Sequence, residues 1–188
     1  MITALFFMNN LRLDDNRALT HALSFNDPIL PIVVDDLARH QMEWFGWASM
    51  GDYRRTFWIE SILDLGESLN QIGSKLCCFQ KHPLDALIEI HSTHKELRVV
   101  MPHVLGSYEA KQINLVKDYC KSNNIEFDCI WDWTLIDHID LNKLSLGFSS
   151  FRKKVEKNMH VSECSNPPIS IPNHINDFRC VSDIYNKK

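Results

Sequence analysis

The stretch ITALFF, residues 2–7, decides the fold class, because it is apolar apart from Thr3 and does not alternate with polar residues. A strand that is covered by helices on both faces needs apolar side chains on both faces. Four similar runs follow it: LPIVVD (30–35), KLCCFQ (75–80), LRVVM (97–101) and EFDCIW (126–131). We therefore predict five strands of one parallel sheet.

Helical patterns fill the gaps between these runs. Apolar residues at helical spacing between the second and third runs are Trp58, Ile62, Leu65, Leu69 and Ile72. This pattern predicts an amphipathic helix that ends at Gly73. Pro83 suits the first turn of a second helix, and Ser107 is the predicted N-cap of a third. Strands alternating with helices favour right-handed crossovers, so we expect a Rossmann-like, doubly wound α/β fold with helices on both faces of the sheet.

The length of the chain limits the number of domains. With 188 residues the chain can bury one good hydrophobic core, so we expect a single domain over residues 1–160. Residues 161–188 contain the adjacent Pro167 and Pro168 and show no periodicity, which predicts an extended, linker-like tail. Such a tail either wraps on the domain or extends into solvent, and the sequence leaves both alternatives open.

Charge and composition narrow the class of partner. A net charge of −4 argues against binding dominated by phosphate neutralisation, so we do not expect direct binding to DNA. The six cysteines follow no disulfide framework, which favours a reducing cytoplasm. No apolar stretch approaches the roughly 20 residues of a membrane helix. The sequence also has no glycine-rich phosphate-binding motif, and we predict no metal site.

The fold class predicts where a ligand would bind. In doubly wound sheets, ligands lie beyond the carboxyl ends of the strands, where the strand order reverses. If the first strand is central, this crevice is walled by MNNLR (8–12) and MPHVLGS (101–107). Asp35 and Asp36 end the second predicted strand, where carboxylates can serve as acid, base or ribose acceptor. A structural pair that initiates a turn is the alternative.

Two aromatic segments suggest a covered surface. Phe148, Phe151 and Val155 form an apolar stripe on a basic final helix, and such a stripe needs a partner surface. The segment EWFGW (43–47) is expected to plug a long connection or to cover a hidden surface.

Four stretches resemble the photolyase and cryptochrome flavoproteins, and within them the DASH-type cryptochromes. FFMNNLRLDDNRAL (6–19) is similar to the family's opening strand and loop, and GDYRRTFWIESILDLGESLNQIGSKL (51–76) to its next helix. WTLIDHIDL (133–141) resembles a third region, and GFSSFRKKVEK (147–157) resembles the F-T-x-F-R-K-x-V-E signature of DASH members. The resemblance covers residues 2–160 and concerns the amino-terminal α/β domain of the family.

The resemblance implies a role in a light-dependent system for DNA repair or blue-light sensing. Full-length relatives bind FAD in an all-helical carboxyl-terminal domain, which also contains the electron-transfer tryptophans and the lesion pocket. That domain has no counterpart in these residues. We therefore expect neither FAD binding nor DNA repair from this chain alone, and whether it is an enzyme stays open although the family is one of lyases. The α/β domain of relatives helps to hold an antenna chromophore, either methenyltetrahydrofolate or a flavin.

The resemblance also suggests candidate site residues and partners. We expect Arg12 to supply charge for a carboxylate or phosphate, and His103 or Ser107 to hydrogen-bond the edge of a pterin or an isoalloxazine. Asp35 and Glu109 complete the predicted cofactor-binding set. A helical flavin domain or a second copy of the chain is the expected macromolecular partner.

The sequence departs from the family pattern in the opening loop. Met8 stands where relatives have an arginine, Asn10 where they have an aspartate, and Lys81 where they have the glycine of G-x-P. Losing an arginine and an aspartate together removes a charge pair without burying either charge alone. Two alternatives to chromophore binding follow, a stand-alone protein-interaction module and a non-functional relic of a DASH-type cryptochrome.

Overall fold

The computed structural model describes residues 1–37, 40, 43–44, 46–134, 145–158, 161, 163–171, 175 and 177–185. The strands in these residues are β1 (Ile2–Phe7), β2 (Ile29–Val34), β3 (Glu43–Trp44), β4 (Trp47–Ala48), β5 (Cys77–Phe79), β6 (Leu97–His103) and β7 (Glu126–Trp131). The helices are α1 (Arg17–Leu23), α2 (Asp52–Gln71), α3 (Pro83–Thr93), α4 (Ser107–Ser122), α5 (Phe148–Asn158) and α6 (Val181–Tyr185).

Five strands form one parallel sheet in the order β5-β2-β1-β6-β7. The predicted α/β fold is confirmed, and β1 is central as expected. The chain first winds from β1 towards β5 and then returns to the other side of β1 with β6 and β7. The strand order therefore reverses between β1 and β6, and the carboxyl ends of these two strands flank the switch point. The antiparallel pair of β3 and β4 forms a separate two-stranded sheet.

Each face of the sheet carries its own apolar layer. On one face Phe6 and Ile32 pack with α3 and α4, and on the other Phe7 and Val33 pack with α1 and α2. The same alternation places Cys77 and Cys78 on opposite faces, because successive side chains of a strand point to opposite sides. Burial raises the pKa of both thiols to about 12, so neither is a reactive thiolate at neutral pH.

Helix ends follow the sequence signals in two cases and depart from them in one. Gly73, with φ of 85°, follows α2, and Pro83 opens α3 as predicted. The N-cap of α4 is Gly106, so the prediction of Ser107 was wrong by one residue. A Cβ atom at position 106 would lie 2.1 Å from Glu109 Oε2. A side chain at position 106 would therefore require the Glu109 carboxylate to move.

The described part of the tail lies on the domain. Asp15 N donates a hydrogen bond to Ser165 O at 2.9 Å, and the buried Ile171 donates from its N to Ile72 O at 3.0 Å. Residues 179–181 then run beside the edge strand β5, where Cys78 N donates to Arg179 O at 2.9 Å. These hydrogen bonds cover a sheet edge that would otherwise expose unpaired backbone groups. The short helix α6 that follows was not expected from the sequence.

The described helices include none that is both long enough and apolar enough to span a lipid bilayer.

Gly66 in α2 allows the tail to dock, because a Cβ atom at this position would lie 2.6 Å from Val181 Cγ2. We expect Gly66→Ala to weaken the docking of α6, since overpacking costs about 1–3 kcal/mol and exceeds the gain of about 1 kcal/mol in helix propensity. Hydrogen exchange should show faster exchange of the amides of residues 179–181. The double variant Gly66→Ala with Val181→Ala removes the clashing methyl group and should recover slower exchange, and unchanged exchange in Gly66→Ala would contradict the prediction.

Candidate functional site

A cavity of about 100 Å³ lies at the carboxyl ends of β1, β2 and β6. Its lining includes Met8, Asp36, His40, Trp58, Glu109 and Gln112. This position is the switch point of the sheet, where ligands of doubly wound folds bind. We therefore treat the cavity as the candidate ligand site and call it the switch-point cavity.

Helix α4 supplies one polar wall of this cavity. Glu109 and Gln112 lie one turn apart, and both side chains are buried. Gln112 Oε1 has no hydrogen-bond partner among the described residues. Tyr108, on the same helix, donates from its hydroxyl to Asp36 Oδ2, which fixes the carboxylate that follows β2. The wall thus presents acceptor oxygens from Glu109 and Gln112.

The facing wall includes His40, whose two ring nitrogens differ. Nε2 lies 2.7 Å from Asp35 Oδ1, while Nδ1 is buried and has no partner within the described part of the chain. A buried polar atom without a partner costs free energy unless an occupant of the cavity supplies the hydrogen bond. Gln112 and His40 therefore give the cavity two buried polar groups that a ligand could satisfy.

Asp35 lies beside the cavity and is committed to an internal ion pair. The carboxylate is fully buried and accepts hydrogen bonds from Arg55 Nη1 at 2.5 Å and Arg55 Nη2 at 2.6 Å. The hydroxyl of Tyr185 donates to Asp35 Oδ2, so the tail contributes to the same cluster. Burial raises the pKa of Asp35, but the hydrogen bonds from Arg55, Tyr185 and His40 outweigh burial and hold it below its ordinary value. In turn, burial and the bond to Asp35 raise the pKa of Tyr185.

Arg12 lies in a different place from the switch-point cavity. Its Nη2 donates to Asp15 O at 2.7 Å and lies 3.4 Å from Asp132 Oδ1, in a second cavity of about 200 Å³. Asn10 Nδ2 donates to Asp132 Oδ2 at 3.1 Å and to Asn16 Oδ1 at 3.3 Å. The amide thus donates to a buried carboxylate that an aspartate at position 10 would repel. Asn10, which stands where relatives have an aspartate, therefore belongs to a local hydrogen-bond network.

His103 and Ser107 also lie outside the switch-point cavity. His103 ends β6 and stacks against Trp131, with 4.9 Å between ring centroids. It lines a groove of about 390 Å³ with Lys117 and Cys129, and its buried Nδ1 has no partner in the described ranges. Ser107 is exposed in the first turn of α4. Of the five predicted site residues, Glu109 alone lines the switch-point cavity.

Sequence reasoning missed His40, Trp58 and Gln112 as cavity residues. Gln112 had a weak signal, because it stands three residues after Glu109 and shares its helix face. His40 lies shortly after the end of β2, and the sequence pattern there gives no direction for its side chain. Within the described residues, no group of three or more His, Cys, Asp or Glu side chains is arranged to hold a metal ion.

Comparison with known proteins gives one consistent family. The sequence profile of the DNA photolyase family matches residues 3–172. The cryptochrome DASH of Gloeobacter violaceus is 29% identical over 174 residues, which cover 89% of this chain and 33% of that protein. The (6-4)DNA photolyase of Arabidopsis thaliana is 29% identical over 160 residues, covering 79% of this chain and 28% of that protein. The chain spans about a third of the length of these relatives.

Solved structures share the fold. The cryptochrome of Synechocystis sp. superposes with a TM-score of 0.84 at 24% identity, covering 91% of this chain and 37% of that chain. The photolyase of Sulfolobus tokodaii gives a TM-score of 0.79 at 22% identity, covering 97% of this chain and 40% of that chain. That photolyase was solved with two FAD molecules, which implied a novel light-harvesting cofactor for it.

The Asp35 cluster predicts a dependence of stability on pH. Because the folded-state pKa of Asp35 is below the ordinary value of 3.8, its stabilising effect is complete above that pH and is lost as the pH falls further. Asp35→Asn leaves the mostly buried Arg55 without its counter-charge and should lower the free energy of unfolding by about 3 kcal/mol at pH 7.

Urea denaturation between pH 7 and pH 3 measures both effects, with Asp14→Asn as a control at an exposed carboxylate. Below about pH 4 the Asp35→Asn variant should lose less stability than the parent chain. Equal losses in the two proteins would contradict the role given to Asp35.

Proposed function

This chain belongs to the DNA photolyase family, and we propose that it is an antenna-chromophore-binding α/β domain of a light-dependent DNA repair or blue-light-sensing system. The observation that carries the proposal is a pair of buried polar atoms at the switch-point cavity, Gln112 Oε1 and His40 Nδ1, neither of which has a hydrogen-bond partner among the residues that the structure describes. An occupant that hydrogen-bonds both atoms would recover the free energy that their burial costs.

The lining favours a flat heterocycle with hydrogen-bond donors. Trp58 supplies an aromatic face, and Met8 supplies a flexible apolar contact that adapts to irregular shapes. Glu109 and Gln112 supply acceptor oxygens for ring N–H or amino groups, which pterins and isoalloxazines carry. When bound, such a chromophore would absorb light and pass the excitation to a flavin.

The size of the cavity restricts how a chromophore enters. Typical small-molecule pockets measure about 300–1,000 Å³, whereas this cavity measures about 100 Å³. The proposal therefore requires that one edge of the ring system enters, or that wall side chains such as Met8 move. The polar edge of the ring is the part that Glu109 and Gln112 suit.

The proposal assigns no repair chemistry to this chain. The chain spans about a third of its relatives, and the resemblance places FAD and the lesion pocket in their helical domain. We propose that this chain neither binds the catalytic FAD nor repairs DNA by itself, and that it acts together with a flavin domain.

Absorption spectra test chromophore binding directly. We expect the purified chain to keep a near-ultraviolet or visible band after methenyltetrahydrofolate or FMN is added and the excess removed. Gln112→Leu should weaken binding about three- to tenfold, as expected for the loss of one hydrogen bond. Asn114→Leu, at an exposed position of the same helix outside the cavity, is the control. A bare protein spectrum under all conditions would overturn the proposal.

The same titrations test the predicted site residues that lie elsewhere. A loss of affinity in Arg12→Ala would support Arg12 as a chromophore contact, and unchanged affinity would remove it from the site. A loss of affinity in Asn114→Leu but not in Gln112→Leu would move the site to the groove beside His103, which Asn114 also lines.

The exposed aromatic residues favour a second candidate function, docking of a helical flavin domain. Tyr53 and Phe57 at the start of α2 are 96% and 72% exposed, and Phe148 at the start of α5 is 75% exposed. Phe57 and Phe148 stand in two of the stretches that resemble the family, whose members are about three times as long as this chain. Aromatic side chains are enriched at protein–protein interfaces. The stand-alone interaction module and the relic remain the alternatives.

Association in solution tests the docking function. We expect a separately produced helical domain of a DASH-type cryptochrome to co-elute with this chain in size-exclusion chromatography, because it would cover Phe57 and Phe148. Phe57→Ser with Phe148→Ser should weaken that association at least tenfold, as for hot-spot aromatic residues. Leu115→Ser, at an exposed position of α4, is the control. Self-association would instead identify a second copy as the partner. A chain that binds neither a chromophore nor a partner would favour the relic.

A further inference from the structure

We propose that helix α6 supports the ligand site from outside the cavity, with Tyr185 as a positioning residue that acts through Asp35 on His40 and Trp58. The inference rests on the proposed function, because it takes the switch-point cavity as the ligand site. Tyr185 is not among the residues that line this cavity, so its effect on a ligand would be indirect.

The first link is a chain of hydrogen bonds through one carboxylate. Tyr185 donates to Asp35 Oδ2, and His40 Nε2 lies 2.7 Å from the other oxygen, Oδ1. Arg55 donates to both oxygens and so fixes the plane of the carboxylate. His40 lines the cavity. Its orientation therefore depends on a carboxylate whose position is set in part by the tail.

The second link is a stack of side chains beside the same carboxylate. The guanidinium of Arg55 lies 5.1 Å from the ring centroid of Trp58 and 5.9 Å from that of Tyr185. The rings of Trp58 and Tyr185 meet edge to face, with 6.4 Å between centroids. Trp58 lines the cavity. Two cavity residues, His40 and Trp58, thus contact groups that Tyr185 also contacts.

Helix α6 holds this position only while it is docked. It has five residues, and so short a helix is not stable in isolation. Its place is set by Val181, which packs against Gly66 and donates from its N to Leu76 O at 3.0 Å. Undocking would remove one of the hydrogen bonds to Asp35 and the packing on one side of Arg55. The docking equilibrium of the tail is therefore coupled to the arrangement of the cavity wall.

Thermodynamic linkage requires that tail docking and ligand binding affect each other equally. If docking of α6 raises the affinity of the cavity for a ligand, the ligand must stabilise the docked tail by the same factor. An occupied cavity should therefore slow hydrogen exchange in residues 179–185 even though it touches none of them.

The test uses Tyr185→Phe, which keeps the ring and removes the hydroxyl that donates to Asp35. The matched control is Tyr119→Phe, which removes a hydroxyl bonded to His91 Nδ1 at 3.0 Å, outside the switch-point cavity. With FMN as the probe, Tyr185→Phe should bind at least about fivefold more weakly than the parent chain, and Tyr119→Phe should bind equally well. FMN should slow exchange in residues 179–185 of the parent chain and do so less in Tyr185→Phe.

A measurement without ligand separates this inference from the proposed function. The nitrogen-15 chemical shifts of the His40 imidazole can be assigned by their absence in His40→Gln. These shifts should change in Tyr185→Phe and stay the same in Tyr119→Phe. A changed signal in a chain that binds neither methenyltetrahydrofolate nor FMN would support the positioning role while the proposed function fails. An unchanged His40 signal, or unchanged FMN affinity where the parent chain binds FMN, would overturn the positioning role.

Discussion

The central constraint on this molecule is that a parallel sheet must be covered on both faces and protected at its edges. Uniformly apolar strands such as β1 and β2 are stable only between two helical layers, and α1 to α4 provide these layers. The edge at β5 is covered by the chain itself, through the backbone hydrogen bonds of residues 179–181. The docked tail is thus part of the fold and not an appendage.

The same constraint decides where polar chemistry can occur. Strands that are apolar along their whole length carry polar side chains only where they end, so carboxylates and imidazoles collect at the carboxyl edge. Asp35 is fully buried there, and burial alone would favour its neutral form. Arg55, His40 and Tyr185 keep it charged, and these partners bring the segment that follows β2, α2 and the tail to one point. The site is therefore held together by a charge that the fold could not leave unpaired.

The sequence was a good guide to the fold and a partial guide to the site. Strand positions could be predicted to within about two residues, because uninterrupted apolarity is a local property of each run. Glu109 could be placed because it stands in the first turn after β6, whereas Arg12 and His103 occupy loops and strand ends whose directions depend on tertiary contacts. The course of the tail could not be predicted, because backbone hydrogen bonds to residues 72, 76 and 78 do not depend on the spacing of apolar residues in the sequence. Membership in the family could be recognised from the motifs alone, and the comparisons confirm it.

The amide of Asn10 constrains how this loop can evolve. Asn10 donates to the buried carboxylate of Asp132, so the tether between the ends of β1 and β7 needs a neutral side chain at position 10. An aspartate at position 10 would instead place two carboxylates in contact, and their mutual repulsion would destabilise the loop. Substitutions at positions 10 and 132 are therefore expected to have non-additive effects on stability. An acidic residue at position 10 becomes tolerable only together with the loss of the carboxylate at position 132.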